Sequence, residues 1–127
     1  MAEMATSIAN ELLDHVLAVG SYTAPTSVEI GLSTTTVSAD GTGITEPTWT
    51  GYAKQSVTFG AASSGAAANT GVVDFVHGGG ATQTAVAAVL YDQAGNMLYF
   101  DNGMADTAVA NGETLRFAIG DIDVTQA

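Results

Sequence analysis

The sequence predicts a mainly β fold, an antiparallel β-sandwich or jelly-roll-like barrel, with one N-terminal α-helix. Three features carry this. Short apolar runs after Pro25 alternate with a period of two, turn dipeptides recur between them, and helical periodicity is confined to the segment before Gly20. At 127 residues the chain has the length of one domain, expected to span 1–127 with the helix at about 6–19 and the sandwich at about 27–126. A chain this long buries roughly two thirds of its unfolded surface, so it can support a core unaided.

The helix comes first. Ile8, Leu12, Leu13, Val16 and Leu17 fall on one face, with Asn10, Glu11 and Asp14 on the other. Thr6 or Ser7 is placed to cap its start, and Gly20 stands where glycine ends helices. Val28, Ile30 and Leu32 then alternate with Glu29 and Gly31 as a half-buried strand. Residues 33–50 form a long loop of Ser, Thr and Gly ending at Trp49, whose ring is expected to pin it to the body. Tyr52 to Phe59 reads as a strand with Ala53, Val57 and Phe59 on one side. Residues 60–71 are too poor in bulky side chains to enter a core, and Val72 to Val76 is a short strand.

His77-Gly78-Gly79-Gly80 reads as a flexible break. Ala85 to Tyr91 and Met97 to Asp101 flank Asp92-Gln93-Ala94-Gly95-Asn96, a hairpin by its turn residues. Asn111-Gly112 and Gly120-Asp121 are turns that bound strands at Thr114 to Ile119 and Ile122 to Thr125. Six or seven short strands at such intervals point to an antiparallel sandwich or barrel.

Composition excludes several function classes. There is no cysteine, so disulfides, thiolate metal sites and cysteine nucleophiles are ruled out. No apolar run approaches the roughly 20 residues of a membrane helix, and no basic residue precedes the first apolar stretch, which argues against a secretory signal. Thirteen acids face two bases, Lys54 and Arg116, for a formal charge of −11. Nucleic-acid binding needs Lys and Arg against phosphates, so no nucleic-acid partner is expected, and anionic membranes are disfavoured likewise. Charged residues are nonetheless 12% and apolar ones 46% of the chain, unlike an acidic disordered protein.

Candidate chemistry is sparse. His77-Gly78-Gly79-Gly80 matches the oxyanion-hole loop of some lipases and esterases, but the Gly-x-Ser-x-Gly elbow that must accompany it is missing. His15 and His77 have no carboxylate partners at a telling spacing. Asp121 and Asp123 share one face of a predicted strand, and Asp40 lies in a Gly/Thr loop. Neither stretch has the dense oxygen array of a calcium site. Asp92 and Asn96 serve the hairpin turn, and Tyr91, Tyr99 and Phe100 read as sheet packing. No catalytic, cofactor-binding or metal-binding residue is assigned, and the chain is expected not to be an enzyme.

The segments Leu12-Leu13-Asp14-His15-Val16-Leu17, Tyr22-Thr23-Ala24-Pro25, Val28 to Ser33, Asp40-Gly41-Thr42-Gly43-Ile44-Thr45-Glu46-Pro47 and Gly51-Tyr52-Ala53 together carry a resemblance. So do Val57-Thr58-Phe59, Asn69, Ala88 to Asp92 and Asn111 to Leu115 with Phe117. In this order they resemble a group of small phage virion proteins labelled phage tail-fibre or minor structural proteins. Lys54 stands where the group favours arginine, and Val76 to Gly80 replaces a more apolar, proline-containing stretch. The resemblance implies a bacteriophage virion structural protein, made in the host cytoplasm and carried on the particle surface. Its partners would be phage coat or tail proteins.

Fibres usually extend by repeats, and this chain has none, so capsid decoration (a cement protein clamping coat subunits) is expected over tail attachment. Closed symmetry favours a homo-oligomer, a trimer first. The expected contact surfaces are the N-terminal segment and the loops 33–50, 60–71 and 77–84. Two rivals remain: a receptor- or glycan-binding module with Trp49 and Tyr52 in an exposed concave site, and a small hydrolase using His77.

Overall fold

Strand β2 (Val28–Ser33), read as half-buried, lies mid-sheet with its last four residues buried on both faces. In the computed structural model, which describes residues 2–126, it pairs on both sides. The five-stranded antiparallel sheet runs β1 (Glu3–Met4), β8 (Met97–Asp101), β7 (Ala87–Asp92), β2 and β3 (Gln55–Val57). Ile30 lies opposite Leu90, and Leu90 opposite Tyr99. Three two-stranded antiparallel ribbons complete the fold. They are β4 (Ala66–Ala68) with β11 (Asp123–Thr125), β5 (Val73–Val76) with β10 (Thr114–Phe117), and β6 (Gln83–Ala85) with β9 (Thr107–Val109).

Side chains alternate across a strand, so the sheet has two faces with different covers. On one, Leu90 and Tyr99 share clefts with Ala67, Phe117 and Val124 from the ribbons and with Phe59 and Ile122 outside them. On the other, Gly31 lies against Glu46 and Tyr52 of the long loop and Tyr91 of β7. The fold is mainly β and antiparallel with one N-terminal helix, as expected, and among the described residues the five-stranded sheet ends at β1 and β3 without closing.

The β7–β8 hairpin forms as expected. Asp92 Oδ1 accepts from the Ala94 and Asn96 amides (both 2.9 Å), and Gly95 takes φ +85°, the left-handed position such a turn needs. Other elements differ from the sequence reading. Ala85 to Tyr91 is split at Val86 into β6 and β7, which belong to different sheets. The strand read from Tyr52 to Phe59 keeps only Gln55–Val57, and Ala53 faces solvent. The alanines of β4 form a strand inside the segment read as loop, because ladder hydrogen bonds need no bulky side chain when β11 supplies Val124. Strands β1 and β9 carry no alternation long enough to read.

Helix α1 spans Thr6–Val16, three residues shorter than expected at its C-terminus. Ala5, not Thr6 or Ser7, occupies the N-cap and makes no side-chain cap. Backbone pairing does that work: Ala5 N donates to Leu98 O (2.9 Å) and Thr6 N to Ala39 O (2.8 Å). At the other end the left-handed residue is Ala18 (φ +63°), not Gly20, and the Val19 and Gly20 amides close onto Asp14 O. A left-handed alanine is strained by contact of its Cβ with the following carbonyl. Ala18→Gly is therefore expected to raise stability by about 1 kcal/mol, read as a higher urea midpoint.

Candidate interaction surface

The residues that looked most chemical are bound into the body. Trp49 is 4% exposed and stacks on the fully buried His77 ring (centroids 4.8 Å apart, 25° between planes). Its edge-on neighbour is Tyr52, which stacks in turn on Phe75, and Phe75 meets Phe117 edge-on. No exposed Trp49–Tyr52 concavity exists for a receptor.

The glycines after His77 form a buckle, not a flexible break. Gly78 N donates to Thr50 O and Thr50 N to Gly79 O, each at 2.9 Å. A Cβ on Gly78 would stand 2.8 Å from Thr50 O, so only glycine lets the two segments close. Gly79 N donates to His77 Nδ1 (3.3 Å), and His77 Nε2 donates to Ala81 O (2.9 Å). The amides that an oxyanion hole would present at Gly78 and Gly79 are thus already bonded inward. Gln83 extends the buckle, accepting from Thr48 N and donating to Thr48 Oγ1 (both 3.0 Å).

The long loop is pinned against the sheet as well. Beyond Ile30, β2 has no β3 partner, and the Leu32 amide donates to Tyr52 Oη (2.9 Å) instead. Tyr52 Oη donates to Glu46 Oε1 (3.1 Å), and Lys54 Nζ lies 3.9 Å from the centre of the Tyr91 ring. Burial, with Glu46 nearby, pushes the Tyr91 phenol up to about 12. Burial raises Tyr52 further, and the Glu46 charge adds to it against the opposing Leu32 hydrogen bond.

Both folded values lie above the ordinary 10.0. The unfolded chain therefore releases these protons first as pH rises. The stability they contribute is complete below pH 10 and is lost as pH climbs through 12. Urea midpoints measured from about pH 9 upward should fall over this window, and Tyr52→Phe or Tyr91→Phe should flatten the fall.

The remaining candidates serve local structure. His15 Nδ1 accepts from Tyr22 N (3.2 Å), tying the return from α1 to the helix. Asp40 Oδ1 accepts from Thr42 N and Thr42 Oγ1, which holds its carboxyl below the usual range. Asp121 Oδ2 accepts from Ala118 N, and Asp123 begins β11 facing solvent. Among the described residues no three His, Asp or Glu side chains gather as a metal would require.

What the fold leaves open is apolar. The face of α1 read as buried is buried only at Ile8 and half-buried at Leu12. Leu13 is 58%, Val16 75%, Leu17 62% and Val19 75% exposed. The helix meets the body through Ala5, Thr6, Ile8 and Leu12, and beyond Leu12 its apolar side chains are exposed. A hint lay in the sequence. Apolar residues at 8, 12, 13, 16, 17 and 19 make a stripe broader than one packing contact covers. Other exposed apolar residues are Val76 of β5, with Val72 and Ile119 just outside β5 and β10, and the same ribbon carries the Asp74–Arg116 ion pair (2.7 Å). Exposed apolar patches on a folded chain mark interaction surfaces.

The described residues thus combine a stapled core with an apolar helix end exposed to solvent. No curated protein matches the chain. The family described as podophage GP4 fiber I protein gp80 matches residues 3–125, from β1 through the end of β11. The chain belongs to that family and is a bacteriophage virion structural protein.

Proposed function

We propose that the chain is a non-enzymatic subunit of a phage tail fibre, held in the particle through the exposed C-terminal half of α1. The observation that carries this is the family match over residues 3–125, whose description names a fibre component. The apolar helix end supports it by supplying an exposed surface for attachment. The absence of repeats, which favoured a compact shell component, does not exclude a fibre assembled from many separate subunits.

Decoration of the capsid exterior is the second reading. It is favoured by the charge of −11, which keeps such a subunit off packaged DNA. Both readings place the chain on the particle surface after synthesis in the host cytoplasm, and both allow a homotrimer. A cryo-EM map of the virion separates them. Density of this fold at the tail supports the fibre subunit, whereas density confined to the outer shell supports decoration and ends the fibre reading. Light scattering of the purified chain tests the trimer, expected at three times 12.8 kDa.

A further inference from the structure

We propose that the end of α1 seats in an apolar groove rimmed by Lys and Arg on a different virion protein. This inference rests on the virion reading above and names the chemistry of the partner at that surface.

Leu13, Val16 and Leu17 stand at i, i+3 and i+4, the spacing by which a helix anchors in a groove, and Val19 prolongs the stripe past the last turn. The acidic side chain beside this stripe is Asp14, exposed and one turn before Leu17, the helix C-terminus adds its own partial negative charge, and the chain as a whole carries −11. Cations on the partner complement this rim.

A second copy of the chain supplies few. Its two basic side chains are Lys54 and Arg116. Lys54 lies over Tyr91, and Arg116 Nε and Nη2 grip the two oxygens of Asp74 at 2.7 and 2.9 Å. Two copies brought together at this end would also face each other with −11 apiece. An anionic lipid surface is repelled by the same charge.

The test uses phage particles carrying the full chain with p-benzoylphenylalanine placed at Leu17. Irradiation followed by mass spectrometry is expected to yield a cross-link to a Lys/Arg-rich segment of another virion protein. The combined variant L13S, V16S, L17S is expected to keep its urea midpoint, since these side chains are already in water, yet to enter particles at least tenfold less. A cross-link to a second copy of this chain, or none from particles that contain it, overturns the proposal. So does normal incorporation of the triple variant. Absence of the wild-type chain from purified particles would instead overturn the virion reading beneath it.

Discussion

Replacing His77 by alanine is expected to destabilise the fold by about 3–4 kcal/mol, the range for truncating a large buried ring. The ring is fully buried against Trp49, and both its nitrogens are bonded, to Ala81 O and Gly79 N. Alanine removes the stack, opens a cavity and leaves a carbonyl and an amide short of a partner. The loss should spread, because the same buckle holds Thr50 and, through Trp49, the end of the 34–54 loop. His77→Phe keeps a ring on Trp49 but makes neither hydrogen bond, so roughly half the loss should return. Urea denaturation measures both, and a change below about 1 kcal/mol for His77→Ala would show that the buckle does not anchor the loop.

Asn69→Ala is the second large effect, expected at about 3 kcal/mol. Asn69 is buried and satisfies four backbone groups with one side chain. Its Nδ2 donates to Gly71 O (2.7 Å) and Ala118 O (3.0 Å), and its Oδ1 accepts from Gly120 N (3.0 Å) and Ile122 N (2.9 Å). These bonds join the end of β4 to the turn between β10 and β11. They position Ile122, which lines the cleft beside Leu90. Alanine leaves the buried Ile122 amide without its acceptor, and burying an unpaired donor costs more than the bond contributed. Amide exchange at Gly120 and Ile122 should quicken ahead of the rest of the fold. Unchanged protection at both would show that the side chain is not what orders the turn.

The two sites differ in how far the sequence announced them. Asn69 and His77 each appear in a glycine-rich stretch that reads as loop, and nothing in a linear pattern shows that a loop asparagine meets residues about 50 positions away. Trp49 was legible as a buried anchor because one large ring in a polar loop has few other ways to avoid water. The partner it stacks on was not legible. Likewise β4 could not be read from three alanines, since its ladder depends on the later strand β11.

The helix shows the same limit from the other side. Its existence and rough start follow from a 3.6-residue period, but that period records which residues are apolar and not what covers them. Leu13, Val16 and Leu17 satisfy the pattern of a core face and lie largely in solvent, because α1 packs on the core through Ile8 and Leu12.

By itself the sequence determined the mainly β antiparallel class, the single helix, the β7–β8 turn and the lack of cationic surface. These depend on local backbone preference and on counts, which are properties of short segments or of composition. Tertiary structure alone decided which strands share a sheet, that the His77 glycines close a buckle around Thr50, and that the apolar end of α1 is left without a partner. Each of those depends on contacts between residues distant in the chain, where the free energy of closing a loop is repaid only by surfaces that no single segment contains.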